Sequence, residues 1–316
     1  MKIVALAGGV GGAKLAHGLS MVLPANDFSV IVNTGDDFSH LGLFISPDID
    51  TVMYTLANIE NPDTGWGRNG DQFLALRTVA KLGGPDWFNL GDMDLGLHLE
   101  RTRRLSEGQS LTEICLSFTN AFGIKNKILP MCDQKVSTIV NTLEYGELAF
   151  QEYFVHRRCD PTVVGFRYDG IERSGLSQQS IEELENCDAI VICPSNPWVS
   201  IRPILAVKHM REYLRKKIVV GVSPILHGKT VKGPAAKMYQ ELGINPSAMA
   251  VLMDYKDFLN GFLVDHGDLG PNDLEDQWSI MIQETDVLMR DLQDRKRLGM
   301  VTLELVETLL ERNMVE

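Results

Sequence analysis

The chain has 316 residues, 44% of them hydrophobic, which is enough for one large α/β domain or two modest ones. Its net charge of −12 argues against a nucleic-acid partner, because phosphate backbones are bound by clustered Lys and Arg. Five cysteines without CxxC spacing, no signal peptide and no bilayer-length apolar run predict a cytoplasmic protein that makes no membrane contact.

The first predicted strand, over residues 3–7, runs into a glycine-rich turn and then a helix. The glycines are Gly8, Gly9, Gly11 and Gly12. Bare backbone N–H groups at a helix N-terminus bind anions, and Lys14 adds a positive charge. The turn lacks the GK[ST] of a P-loop, and Lys14 stands where a dinucleotide fingerprint has its third glycine. The turn therefore predicts a phosphate site, with a tight βα turn that binds nothing as the alternative.

A second strand, predicted over residues 28–33, ends in a polar turn that contains Asn33, Thr34 and two aspartates. A helix over residues 51–59 follows another acidic turn. The four aspartates of these turns are Asp36, Asp37, Asp48 and Asp50. Loop carboxylates suit Mg²⁺, which keeps waters and substrate phosphates as its other ligands. We favour Asp37 and Asp50 as the metal pair, since Asp48 alone could cap the helix and Asp36 could be solvated.

The next segment is predicted to be mainly helical and offers two further candidates for substrate binding. The elements expected here are helices over 70–81, 95–107 and 110–122 and a short strand over 87–90. Asp92 precedes the second of these helices, and His98 lies one turn inside it. His98 could act as an acid, a base or a substrate donor, although a single histidine on a mixed helix face is often structural.

The character of the chain changes near Lys127, where short alternating strands predict a β-rich insertion or lid. The strands are expected over 127–131, 136–141, 146–155 and 162–168. Strand and helix then alternate again over 177–186, 189–193, 201–214, 217–222, 234–242 and 249–253. Residues 276–316 are predicted to be largely helical, with a break at Gly299.

This alternation predicts an α/β fold: a doubly wound, Rossmann-like parallel sheet with a small β-rich insertion and C-terminal helices. The expected parts are a nucleotide- or phosphate-binding core over 1–126, the insertion over 127–176, and the rest of the core over 177–316. Ser195 and Asn196 follow a buried strand and could contact a base or a phosphate; Lys229 and Lys232 could hold a phosphate. An Asx turn and a solvated loop are the respective alternatives.

Several motifs together resemble the 2-phospho-L-lactate transferase family, whose members make the deazaflavin coenzyme F-420. The similarity runs in order from residue 3 to about residue 260. The matching segments are 6–14, 32–37, 46–54, 194–201, 222–225, 228–229 and 232–234.

The resemblance implies a Mg²⁺-dependent transfer to the terminal ribityl hydroxyl of the deazaflavin Fo, with release of GMP. The donor would be a guanylylated phospho-acid: 2-phospholactate, phosphoenolpyruvate or 3-phosphoglycerate. By position, residues 8–14 would hold phosphates and Asp37 with Asp50 would hold Mg²⁺. Asp50 would also lie near the attacking hydroxyl as the catalytic residue, and Ser195 with Asn196 near the guanosine.

One position departs from the family pattern and two other functions remain open. Many family members carry Gly-Asp-Arg-Asp where this chain has Met93 at the third position, which bears on acceptor geometry and donor choice. A related branch suggests a non-catalytic, nucleotide-sugar-binding regulator tied to gluconeogenesis. An NAD-dependent oxidoreductase is disfavoured by the missing third glycine. A homodimer would be common for this architecture, although nothing in the sequence requires it.

Overall fold

The computed structural model of the protein describes residues 1–270 and 279–313. Its strands are β1 (Ile3–Ala7), β2 (Phe28–Val32), β3 (Phe38–His40), β4 (Leu43–Ile45), β5 (Lys127–Pro130), β6 (Ser137–Thr142), β7 (Gly146–Ala149), β8 (Val163–Asp169), β9 (Ala189–Ile192), β10 (Ile218–Val222), β11 (Ile225–Leu226), β12 (Lys229–Thr230), β13 (Gly261–Val264) and β14 (Met281–Glu284). Its α-helices are α1 (Gly9–Val22), α2 (Pro47–Leu56), α3 (Leu74–Lys81), α4 (Asp92–Ser106), α5 (Leu111–Ala121), α6 (Gln178–Asn186), α7 (Arg202–Ala206), α8 (Met210–Leu214), α9 (Ala235–Glu241), α10 (Ala248–Tyr255) and α11 (Leu292–Asn313).

Seven of the described strands form one parallel sheet in the order β14-β13-β10-β9-β1-β2-β5. The first strand lies near the middle, with β2 on one side and β9 on the other, so the strand order reverses next to β1. Ligands of doubly wound proteins bind at such a switch point, beyond the carboxyl ends of the strands. The predicted fold class is confirmed, and the topology directs attention to the loops after β1 and β9.

The central strands are buried on both faces, as their continuous apolar sequences predict. Alternate side chains of β1 enter two different cores: Val4 and Leu6 join the core on one face, and Ile3, Ala5 and Ala7 join the other. Helices cover both faces and fix the sheet rigidly. The loops at its carboxyl edge are therefore held on a stable support.

A small antiparallel sheet of β7, β6 and β8 stands apart from the central sheet. It corresponds to the predicted β-rich insertion. The first strand predicted there, 127–131, instead belongs to the central sheet, where β5 pairs in parallel with β2. Periodicity alone could not reveal this, because the sequence of a short edge strand does not say which sheet it joins.

Several local predictions were wrong. The strand predicted over 146–155 ends at Ala149, and Glu152–His156 form a short π-helix. Residues 249–253 form part of α10 rather than a strand: the hydroxyl of Ser247 accepts from the Ala250 amide and caps that helix. No strand forms over 87–90. A strand, β14, precedes the C-terminal helix α11, which runs through Gly299 without a break. Residues 276–278 and 314–316 of the predicted helical tail lie outside the described residues.

Gly299 is a point of close contact between α1 and α11, the first and last helices of the described residues. A Cβ on Gly299 would lie 2.8 Å from the carbonyl carbon of Gly18 in α1, and a Cβ on Gly18 would overlap the Arg295 carbonyl. Two glycines facing each other let the helix backbones approach. Gly299, predicted to break a helix, instead allows α1 and α11 to pack closely.

Candidate active site

A cleft of about 630 Å³ opens at the switch point of the sheet. The glycine turn after β1 and the Pro194–Asn196 loop after β9 form part of its wall. Helices α2 and α4 contribute acidic and basic side chains, and the insertion contributes aromatic ones. Of the residues predicted for the site, those that line the cleft are Gly8, Gly9, Gly11, Lys14, Asp50, His98, Ser195 and Asn196.

The glycines of the turn are required in part by contacts within the protein. A Cβ on Gly8 would lie 2.5 Å from the Asp48 carboxylate, and one on Gly11 would overlap the Pro194 carbonyl. A Cβ on Gly12, which does not line the cleft, would overlap the Ser195 hydroxyl. Gly9 has φ +61°, a conformation that favours glycine. The two loops at the switch point are therefore pressed together.

Two lysines reach the cleft beside the glycine turn. The Lys14 ammonium donates to the Met289 carbonyl at 2.8 Å, and the Lys232 ammonium donates to the Thr64 carbonyl at 2.6 Å. Burial, with Arg295 and Lys232 nearby, lowers the pKa of Lys14. Cations that repel each other and rest on neutral carbonyls are well placed to exchange those partners for an anion.

At the start of α2, Asp50 forms a buried ion pair with Arg101 of α4. Both carboxylate oxygens of Asp50 accept from the guanidinium, one of them at 3.1 Å, and the Arg101 side chain is fully buried. Burial alone would lower the pKa of Arg101, but Asp50 outweighs it and raises that pKa. The pair fixes the position of Asp50 and neutralises its charge.

His98 lies one turn before Arg101 on the same face of α4. Its Nδ1 is 3.3 Å from the Arg101 guanidinium and 3.7 Å from the Asp50 carboxylate. Burial lowers the pKa of His98 to about 4, and Arg101 acts in the same direction while Asp50 opposes it. His98 is therefore neutral at pH 7, and its Nδ1 accepts from Arg101.

The other three acidic residues of the turns are also buried. Asn33 donates to Asp48 at 2.9 Å, Ser46 donates to Asp37 at 2.8 Å, and Asp36 lies close to Asp48. Burial raises the pKa of Asp48 to about 6 and the pKa values of Asp36 and Asp37 well above their usual range. Within the described part of the chain, Oδ1 of Asp36 and Oδ1 of Asp37 have no hydrogen-bond partner. The cluster holds more negative charge than Arg101 can balance.

Asp94, in the first turn of α4, lines the cleft as well. It is 9% exposed, and its Oδ1 makes no hydrogen bond within the described residues. The Tyr54 hydroxyl is near and favours the ionised form of Asp94. Burial raises the pKa of Asp94 to about 6.

The remaining predicted site residues lie outside the cleft wall. The side-chain N–H groups of Asn33 donate to Asp48 and to the Val199 carbonyl, and its side-chain oxygen accepts from the Gly35 amide. Thr34 is buried beside it. Asp92 accepts from the backbone amides of Leu74 and Ala75 at the start of α3. Lys229 is exposed on β12, and Met93 is 38% exposed. Asp37 is buried behind the wall, held by Ser46.

Several residues of the site were not assigned from the sequence. Arg101 could have been noticed through its spacing, because residues three apart on a helix share a face and His98 was already a candidate. Asp94 lies two residues after Asp92, a predicted site residue. Of the two lysines considered for a phosphate, Lys232 lines the cleft and Lys229 does not. The aromatic part of the wall comes from four separate segments, so no single local pattern in the sequence predicts it. Its residues are Tyr54, Trp66, Phe88, Phe150 and Phe154.

Comparison with known proteins identifies the family of the chain. The family described as 2-phospho-L-lactate transferase CofD matches residues 3–306. The chain belongs to the 2-phospho-L-lactate transferase family. It is thus an enzyme of the transferase type. A protein of Methanopyrus kandleri named 2-phospho-L-lactate transferase is 39% identical over 98% of this chain and 99% of its own.

A second relative carries a different name. A Streptomyces griseus protein named phosphoenolpyruvate transferase is 37% identical, over 97% of this chain and 99% of its own length. A crystal structure of a UPF0052-family protein from Bacillus halodurans matches with a TM-score of 0.66 at 13% identity, covering 96% of this chain and 98% of that one. This last match concerns the fold alone. None of the helices in the described ranges combines the length and hydrophobicity needed to cross a bilayer.

Proposed function

We propose that this protein transfers a phospho-acid from a guanylylated donor to the deazaflavin Fo, releasing GMP, in the biosynthesis of coenzyme F-420. The observation that carries the proposal is the composition of one cleft. The glycine turn and Lys14 suit a diphosphate, and the aromatic wall suits a flat ring system. Family membership supplies the reaction class.

The buried carboxylates fit the Mg²⁺ that this reaction would require. Oδ1 of Asp37 is a buried oxygen without a partner, and carboxylate oxygens are the ligands that Mg²⁺ prefers. Among the described residues there is no cluster of three or more ligating side chains. One or two carboxylates suffice where substrate phosphates complete the shell. Asp37 and Asp50 would hold the ion, which would neutralise phosphate charge.

The protein's own groups would act mainly by positioning and charge. Backbone amides of the glycine turn and the two lysines would orient the diphosphate, and Ser195 with Asn196 would face the guanosine part. Arg101 would hold Asp50 in place. The three-carbon acid is left open between lactyl, enolpyruvyl and glyceryl forms, since relatives carry two different names.

The decisive experiment is a turnover assay with purified protein, Fo, Mg²⁺ and each of three guanylylated donors, read by mass spectrometry. We expect an Fo extended by one phospho-acid, together with stoichiometric GMP, from one donor in preference to the others. A reaction without Mg²⁺ serves as the control. No product from any donor, with nucleotide-sugar binding retained, would overturn the proposal in favour of the regulator.

A further inference from the structure

Asp94 is a buried carboxyl group in the cleft wall, near Tyr54 and Arg68, which favour its ionised form. Its side chain is 9% exposed, and Oδ1 has no hydrogen-bond partner in the described part of the chain. A polar oxygen buried without a partner costs folding free energy, so such an atom calls for an explanation. Its place in the cleft suggests that the missing partner is a substrate group.

The other acidic residues near the cleft are paired within the protein or, like Asp37 with its free Oδ1, lie behind the cleft wall. Both oxygens of Asp50 accept from Arg101, Asp37 accepts from Ser46, and Asp48 accepts from Asn33. A carboxylate held in a two-point ion pair is a weak base, because proton uptake would break the pair. His98 is turned towards Arg101 through Nδ1. None of these groups is free to accept a proton from a substrate.

Asp36 also has a free oxygen, but its surroundings differ. It lies against Asp48, whose carboxylate is 2.5 Å from the position a Gly8 Cβ would take, so both belong to the wall beside the glycine turn. That region would hold the phosphates of the donor. Asp94 instead neighbours Tyr54 and lies on the helix that carries Arg101 and His98. Asp94 is therefore the better candidate for contact with the acceptor.

We propose that Asp94 is the general base of the transfer, accepting the proton of the acceptor's attacking hydroxyl. The inference rests on the proposed function. As the hydroxyl oxygen forms its bond to the phosphorus that carries the acid, the hydroxyl proton passes to the Asp94 carboxylate. The phosphorus–oxygen bond to GMP breaks, and the bonding pair leaves on the GMP phosphate. The proton is then released to solvent.

The surroundings of Asp94 give it suitable basicity. Burial raises its pKa to about 6, with Asp50 and Asp71 acting in the same direction and Tyr54 and Arg68 opposing them. A base with a pKa just below the working pH is mostly ionised yet takes up a proton more readily than an ordinary carboxylate. The nearby Tyr54 hydroxyl, whose pKa is raised by burial, remains protonated and can donate to the Asp94 carboxylate.

The test compares wild type, Asp94→Asn and the matched control Asp86→Asn, an exposed loop carboxylate that does not line the cleft. Steady-state turnover is measured between pH 5 and 9 at saturating Mg²⁺, with thermal melting of each variant. We expect Asp94→Asn to lose about 10²–10⁴-fold in kcat with little change in KM. Asp86→Asn should match wild type.

The pH profile adds a readout that a folding defect alone would not produce. In wild type, kcat/KM should fall below about pH 6, and the residual activity of Asp94→Asn should lack this fall, which separates Asp94 from Asp48, whose pKa is also about 6. Three results would overturn the inference. They are a wild-type profile without the fall below pH 6, an Asp94→Asn enzyme that keeps a tenth of wild-type kcat, and rescue of that variant by extra Mg²⁺. A wild type inactive with every donor would overturn the proposed function, and the inference with it.

Discussion

Arg101 and Asp50 join helix α4 to the first turn of helix α2 through a buried, two-point ion pair. The guanidinium is fully buried, and the carboxylate is 6% exposed. An ion pair of this kind contributes little net stability, since desolvation offsets the attraction, but losing one partner leaves the other charged and buried. It fixes the geometry of the cleft at its most strongly charged point.

We expect Arg101→Met to destabilise the protein by about 3–5 kcal/mol, because Asp50 would lose its counter-charge among other buried acids. The measurement is the free energy of unfolding in urea at pH 7. Arg103→Met is the matched control: Arg103 lies on the same helix in exposed ion pairs with Glu100 and Glu107, and its loss should matter little. Equal effects of the two substitutions would contradict this account.

Asp37→Asn should leave the fold intact while weakening the use of Mg²⁺. The Asp37 carboxyl is buried with a raised pKa, so a neutral amide of the same shape can replace it and still accept from Ser46. We expect the Mg²⁺ concentration for half-maximal activity to rise at least about tenfold, equivalent to about 1.4 kcal/mol. Asp86→Asn provides the control, and an unchanged Mg²⁺ dependence would remove Asp37 from the proposed metal pair.

The raised pKa of Asp94 predicts how stability depends on pH. Protonation of Asp94 favours the folded state, so its stabilising contribution is present below pH 3.8 and is lost as the pH rises to about 6. Asp94→Asn does not undergo this loss. Its unfolding free energy relative to wild type should therefore increase between pH 4 and pH 8, by up to about 3 kcal/mol. Denaturation curves at both pH values test this, and a constant difference would refute it.

Lys14→Ala should weaken donor binding by about 10–100-fold, the usual effect of losing a hydrogen bond to a charged group. Affinity for Fo should hardly change, because Lys14 lies beside the glycine turn and not in the aromatic part of the wall. Calorimetric titration with a guanylylated donor and with Fo separates the two. Lys81→Ala, on the exposed side of α3, is the control. Equal losses for both ligands would contradict a phosphate site.

Gly299→Ala and Gly96→Ala form a matched pair with opposite outcomes. A Cβ on Gly299 would press against Gly18, so overpacking should cost about 1–3 kcal/mol. A Cβ on Gly96, inside α4, would meet nothing within 4 Å, so higher helix propensity should stabilise by about 0.5–1 kcal/mol. Thermal unfolding measures both. A stabilising Gly299→Ala would contradict the close crossing.

The sequence predicted the central strands of the parallel sheet well, because β1, β9 and β10 are continuous apolar strands that end in glycine or polar turns, but it missed β13 and β14. The sequence-based prediction was wrong where a short apolar segment can form a strand or a helix, as in α10. It was also wrong at Gly299, because a glycine can either end a helix or allow two helices to pack closely. Arg101 and Asp50 lie 51 residues apart, so only the fold reveals their pairing.

The contact between Gly18 and Gly299 links the first helix of the chain to the last one described. Helix α1 begins at the glycine turn of the cleft, and α11 packs along it from residues 292–313. During synthesis, α1 emerges from the ribosome long before its packing partner exists. The glycine turn can therefore acquire its final packing only after residues 292–313 have been synthesised, and a nascent chain should bind the proposed guanylylated donor weakly until α11 has folded against α1.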